Sequence, residues 1–270
     1  DTKEKFDYTI LENAFGGFRK KKDAVLIFKK LNKFTKKNGT IIVTLLNLYG
    51  IFALKLKYFY AVMLVKQNKI SNFDNRLNFL TKIFKSHLNY LSKNARKTEK
   101  WVLDTILNQN FINITKPCFD FFELKKNLNK NLLIKSTAPK FFVDYIWFKN
   151  MNIKKHNDNI FKQLFNQQLN FIDFETRFLF DKLILSSNIN KINQIISRID
   201  FDTRINLKDL NKIQQEIKII SKKLNTIVHN NKVSLALNEL IKIIIKFKKN
   251  KKIPLKTKNF YKLWGIGTHA

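Results

Sequence analysis

Residues 209–247 read DLNKIQQEIKIISKKLNTIVHNNKVSLALNELIKIIIKF, and their spacing decides the fold class. Leu210, Ile213, Ile217, Ile220, Leu224 and Ile227 advance by alternating steps of three and four, which lays them along one side of a helix as a heptad-like seam. His229, Asn230, Asn231 and Lys232 interrupt the pattern. Leu237, Leu240, Ile241 and Ile244 restore it within the run Val233 to Phe247. Two helices joined by so short a connection are expected to fold back as an antiparallel αα-hairpin. Ordinary core packing and a docking surface would explain the seam equally well.

Working outward, the same period recurs from Arg76 onward, where Leu77, Leu80, Phe84, Leu88 and Leu91 form one stripe. Trp101, Val102 and Ile106 suggest another helix, as do Asn157 to Phe165 and Asp173 to Leu185. Pro117 and Pro139 bracket a less regular stretch with Phe119, Phe121 and Phe122, which reads as a loop or short strands. Near the start, Asp23 is positioned to cap a helix from Ala24 to about Phe34 with Val25, Phe28 and Leu31 on one face. Lys36 to Gly39 then reads as a turn, and Thr40 to Tyr49, rich in β-branched residues, is the best strand.

The fold class expected is mainly α, with a small β element around residues 40–65, a C-terminal αα-hairpin and an extended basic tail. The corresponding regions are 1–75, basic with short strands, 76–247, helical, and 248–270, the tail. The stretch Thr40 to Val65 is also the one membrane candidate. Its apolar run to Leu54 falls short of the ~20 residues a spanning helix needs, and Lys55 and Lys57 follow. Buried strands or a core helix are expected there.

Charge limits the function. The 270 residues carry 52 Lys plus Arg against 20 Asp plus Glu, a net charge of +32 and a pI near 10.1. With 44% apolar residues the chain can bury a core, yet so large an excess of one sign repels itself unless a polyanion or counterions neutralise it. Only six of the basic residues are Arg: Arg19, Arg76, Arg96, Arg177, Arg198 and Arg204. Lys, Asn, Ile and Phe are abundant, the residue set of A/T-rich codons. Mutational bias accounts for part of the Lys, but not for its ratio to acids. Acids are absent between Asp23 and Asp74 and again from Leu240 to the end, so the charge is polarised toward the two ends.

Catalytic signatures are absent. There is no GxxxxGK[ST] loop, dinucleotide fingerprint, GxSxG elbow or kinase motif. Cys118 is the only cysteine, which excludes an intrachain disulfide and a Cys-based zinc site. His87, His156, His229 and His269 are widely separated, and Asp200-Phe201-Asp202 reads as a solvated loop. No enzyme activity, cofactor or metal is expected. Residues 1–6, DTKEKF, show no targeting pattern, which is uninformative because cleavage after import or synthesis inside an organelle would leave none.

The positive signals are basic clusters with aromatic neighbours. Arg19, Lys20, Lys21 and Lys22 form a compact run near Phe15 and Phe18, followed by Lys29, Lys30, Lys36 and Lys37. In the tail, Lys248, Lys249, Lys251, Lys252, Lys256, Lys258 and Lys262 accompany Phe247, Phe260, Tyr261 and Trp264. Lys supplies point charges to phosphate oxygens with release of counterions, and aromatic rings stack on exposed bases. These are candidate RNA-binding residues. The tail, with Pro254 stopping any helix, can bury little and is expected to order only on its partner. Helix-turn-helix, zinc-finger, RNP-type and KH-type patterns are missing, which favours a structural RNA over DNA.

In its Lys/Asn/Ile/Phe bias, excess charge, basic run at Arg19 to Lys22 and basic tail, the chain resembles ribosomal proteins encoded in A/T-rich mitochondrial genomes, such as those of ciliates. The resemblance is compositional and covers the whole chain without a diagnostic motif. It implies a mitochondrial matrix location, an rRNA partner, neighbouring ribosomal proteins and a structural role in translation; a membrane and a small-molecule substrate are not among the partners it implies. The alternative is an accessory subunit of a mitochondrial inner-membrane respiratory complex, using Thr40 to Val65. An intron-encoded nuclease or maturase is disfavoured by the absence of LAGLIDADG and GIY-YIG motifs.

Overall fold

The computed structural model describes residues 4–12, 18, 20–91, 97–108, 119–128, 131–137, 152–173, 185–228 and 231–265. It is mainly helical with one small two-stranded parallel sheet. Strand β1 (Phe6–Leu11) and strand β2 (Thr35–Val43) are joined by α1 (Lys21–Phe34), a βαβ unit. A parallel pair requires such a crossover, because a hairpin turn can only connect antiparallel strands. Ala24 and Phe28 of α1 are buried with Leu45 and Phe119 in a small core. The opposite sheet face leaves Phe6, Tyr8, Ile10 and Ile42 exposed.

This arrangement corrects three expectations. Helix α1 starts at Lys21, so Asp23 lies in its first turn rather than capping it. The strand begins at Thr35, where a Thr9–Thr35 hydroxyl bond of 2.7 Å fastens it, and ends at Val43. Lys36 to Gly39 is therefore an irregularity inside β2 instead of a turn between elements. Asn38 adopts φ 71°, and a Cβ at Gly39 would press on the Asp7 carbonyl at 2.9 Å, so the turn chemistry is present but absorbed as a bulge.

Helix α2 (Leu48–Gln67) forms the centre of the molecule. Asn47 caps it by accepting from the Tyr49 N–H at 2.8 Å, and every residue from Tyr49 to Val65 is buried, Lys55 and Lys57 included. The expected β element around 40–65 is thus strand only to Val43. Helices covered on all sides carry no amphipathic period, so β-branched and aromatic content there resembles that of a strand.

Other elements wrap this helix. They are α3 (Phe73–Tyr90), α4 (Thr98–Trp101) running into a π-helical turn (Val102–Ile106), α5 (Phe121–Asn127), α6 (Ile153–Asn166), α7 (Ser186–Ile196), α8 (Leu207–Ile227) and α9 (Lys232–Lys248). The α3 stripe is as expected: Leu80, Phe84 and Leu88 are buried, with Leu77 and Leu91 against the core. Trp101, Val102 and Ile106 are buried as well. Helix α5 replaces the loop or strands expected near Phe121, with Asp120 capping it by accepting from the Phe122 and Glu123 N–H groups. Of the helix expected from Asp173 to Leu185, residues 174–184 lie outside the described residues.

Leu210, Ile213, Ile217, Ile220 and Leu224 of α8 are buried, while Ile227 is half-buried. Helix α9 packs along α8, with Ser221 Oγ donating to Asn238 Oδ1 at 2.9 Å and Ser234 Oγ donating to the Ser221 carbonyl at 3.2 Å. Residues 200–203 are more than a solvated loop. Asp200 accepts from the Asp202 and Thr203 N–H groups, Asp202 pairs with Arg76, and Phe201 packs edge-on to Tyr58 at 5.5 Å.

The C-terminal segment departs furthest from expectation. Ile253, Phe260, Leu263 and Trp264 are buried in the main core. Gln67 clamps the Ile253 N–H and the Lys251 carbonyl, and Tyr60 donates to the Pro254 carbonyl at 2.7 Å. Glu239 accepts from the N–H groups of Lys258, Asn259 and Phe260 at 2.7, 2.6 and 2.8 Å, and Asp173 accepts from that of Trp264 at 3.0 Å. The expectation of a segment able to bury little fails because its anchoring carboxylates come from other parts of the chain. A Cβ at Gly265 would collide with the Gly50 carbonyl, so this glycine permits a backbone-to-backbone approach.

Candidate nucleic-acid interface

The expected RNA-binding residues fall into two groups in space. Lys20, Lys22, Lys29, Lys30 and Lys37 are exposed on or beside α1 and β2, whereas Arg19 lies outside the described residues. Lys21 pairs with Glu123 at 2.5 Å and Lys36 with Asp7 at 3.0 Å, so these two are partly neutralised. In the second group, Lys249, Lys251, Lys252, Lys256 and Lys258 are exposed. Lys248 is half-buried and donates to Gln214 at 3.0 Å, and Lys262 is half-buried with its Nζ 5.5 Å from the Tyr261 ring.

Trp264 does not belong to this surface. It is only 6% exposed, its ring meets that of Trp101 at 5.4 Å, and Lys57 Nζ stands 4.3 Å from its centre. Phe260 is buried and Tyr261 packs edge-on against Tyr90, so the base-stacking role expected of these rings is withdrawn. Their aromatic area stabilises the core instead.

Folding adds basic residues that a linear reading passes over. Lys208, Lys212, Lys218 and Lys222 occupy the side of α8 opposite its buried seam, and all four are exposed. The two acids of α8 lie elsewhere: Asp209 is half-buried, and Glu216 is buried, holding Asn188 Nδ2 at 2.6 Å and Lys191 Nζ at 3.2 Å. Lys242, Lys246 and Lys249, at i, i+4 and i+7, make a second exposed row along α9. A helical wheel of either segment would have shown these faces.

Several acids of the described residues serve the fold. Asp120, Asp200, Asp173 and Glu239 accept from backbone N–H groups, and Glu123, Asp158, Asp202 and Asp173 pair with Lys or Arg. The Lys21 ammonium is the main influence holding the Glu123 carboxyl below the usual carboxylate range. The outward lysines of α8 and α9 have no ion-pair partner among the described residues. Neighbouring like charges without counter-charge are unfavourable, and a polyanion relieves them.

Two lysines are turned inward. Lys55 Nζ donates to Ser197 Oγ at 2.6 Å, and burial lowers its pKa to about 7. Lys57 Nζ shares a 2.9 Å hydrogen bond with His87 Nδ1. Burial lowers both pKa values well below their ordinary ranges; the nearby Asp173 opposes that shift for Lys57, and Lys57 adds to it for His87. Covered by Trp264 and Phe260, this pair is a polar knot in the core rather than a reactive surface. Among the described residues no three His, Cys, Asp or Glu side chains gather as a metal site.

No family model, curated protein or solved structure matches the chain.

Proposed function

We propose that the chain is a structural component of a mitochondrial ribosome, without enzymatic activity, that binds rRNA through lysine-rich surfaces. The observation that carries this reading is the distribution of charge on the C-terminal helices: Glu216 is buried, Asp209 is half-buried and Glu239 accepts from the N–H groups of Lys258, Asn259 and Phe260, while exposed lysines line the outer faces of α8 and α9 and recur on α1 and the C-terminal segment. In this reading α8 and α9 form an antiparallel αα-hairpin that presents its lysine faces to phosphates, and residues 248–265 contribute a basic strap pinned to the core. Such contacts position a protein on RNA without reading its sequence. The fold therefore supplies shape and charge.

The respiratory-complex alternative requires α2 to face lipid. That helix is long and apolar enough to cross a membrane, with mean hydropathy 1.5, but 94% of its spanning window is buried inside the protein. Core packing accounts for it. Filter binding of a mitochondrial rRNA transcript over a range of salt tests the proposal. Log affinity is expected to fall linearly with log salt, by about 0.7–0.9 per phosphate contacted. Affinity unchanged by salt would overturn it.

A further inference from the structure

A cavity of about 330 Å³ opens between α7 and α8, lined by Lys191, Gln194, Ile195, Ser197, Arg198 and Lys212. Lys191, Gln194, Ile195 and Arg198 recur at i, i+3, i+4 and i+7, so α7 and its exit turn build one wall, while Lys212 closes the other from α8. No acid lines it. Lys191 is held by Glu216 at 3.2 Å, but the Arg198 guanidinium and the Lys212 ammonium have no hydrogen-bond or ion-pair partner among the described residues. Behind the wall, buried Lys55 donates to the Ser197 hydroxyl at 2.6 Å, and that hydroxyl donates to the Asn193 carbonyl at 2.7 Å.

We infer that this cavity binds a phosphate group, with Arg198 and Lys212 as its direct ligands. A guanidinium presents paired N–H donors that match two oxygens of one phosphate, and a lysine adds a point charge from the facing helix. Gln194 adds a polar side chain to the lining, and Ile195 limits water on one side. The C-terminal end of α7 opposes an anion with about half an elementary charge. Its last carbonyls, on Asn193, Ile195 and Ile196, already accept from the Ser197, Arg198 and Ile199 N–H groups, and the two uncompensated full charges of Arg198 and Lys212 line the cavity. The balance favours the anion.

Two sources share this chemistry, an RNA backbone phosphate and a free phosphate or mononucleotide. The RNA source rests on the function proposed above, and the cavity continues into the lysine face of α8 through Lys212. The full chain is incubated with phenylglyoxal, and modification of Arg198 is read by peptide mass spectrometry with no addition, inorganic phosphate, adenosine 5′-monophosphate, or a 20-nucleotide RNA. Protection by RNA at micromolar concentration identifies a backbone phosphate; protection by millimolar phosphate or the nucleotide identifies a free one. Absence of protection in every arm overturns the inference.

In parallel, the variant carrying Arg198→Gln and Lys212→Gln is expected to bind the RNA tenfold to a hundredfold more weakly. Its salt slope should be shallower by about one to two, and its melting temperature unchanged. Lys82→Gln, an exposed lysine of α3, serves as control. If the double variant binds as the wild type does while Lys208→Gln, Lys218→Gln and Lys222→Gln weaken binding, the cavity assignment fails and the RNA function stands. If the wild type binds no RNA but phosphate protects Arg198, the cavity assignment stands and the RNA function fails.

Discussion

Lys57 Nζ lies 4.3 Å from the centre of the Trp264 ring, joining the middle of the central helix to the C-terminal segment. The two residues lie far apart in sequence, and neither is legible alone: a lysine reads as surface, and a tryptophan in a basic tail reads as a stacking platform. Together with His87 they are buried in the core. The lysine-rich C-terminal segment is part of the folded body for this reason, and its charge is displayed from a fixed frame.

Trp264→Ala should cost about 3–5 kcal/mol in urea unfolding, the usual range for removing a large buried ring. In the isolated protein, hydrogen exchange at the amides of Lys258, Asn259, Phe260 and Trp264 should be slow, because Glu239 and Asp173 accept from them. Fast exchange at all four would mean that the segment is not docked.

Ile217→Ala should cost about 2–5 kcal/mol, since Ile217 is fully buried in α8. Lys218→Ala, next along the same helix but exposed, should change stability by no more than about 0.5 kcal/mol. Equal effects from the two variants would contradict the orientation of α8.

Lys55 sets a pH dependence. Its folded pKa of about 7 lies below the ordinary 10.5, so between these values the unfolded chain binds more protons and stability rises with pH. Buried Lys57 acts in the same direction. His87, lowered below 6.5, adds a loss of stability as pH falls through and below that value. Lys55→Met should stabilise the protein at pH 7 and flatten the rise between pH 7 and 10, read from urea midpoints. An unchanged slope in that variant would show that Lys55 keeps an ordinary pKa.

Elements with one wet face were legible in the sequence. The α3 stripe from Leu77 to Leu91 and the α8 seam from Leu210 to Leu224 follow the helical period because solvent demands polar residues on the opposite side. Helix α2 was not, since burial on every side erases the period. The C-terminal segment misled for a different reason: Ile253, Phe260, Leu263 and Trp264 enter the core from irregular backbone, whose spacing has no repeat to detect. The candidate surface was half legible. Linear lysine clusters such as Lys251 and Lys252 were visible, but the lysine face of α8 is interrupted along the chain by Asp209 and Glu216 and emerges only when the residues are placed around the helix.

That face carries its own test. A variant with Lys208→Gln, Lys218→Gln and Lys222→Gln should keep wild-type stability and reduce the salt slope of RNA binding by about two to three. An unchanged slope would remove α8 from the interface.

Sedimentation of a mitochondrial lysate through a sucrose gradient, with the protein followed by antibody, addresses the central claim most directly. The account predicts co-migration with ribosomal particles at low salt, collapse of that peak after ribonuclease treatment, and release into the soluble fraction at high salt. A protein that stays with carbonate-washed membranes and never enters the ribosomal fractions would contradict it.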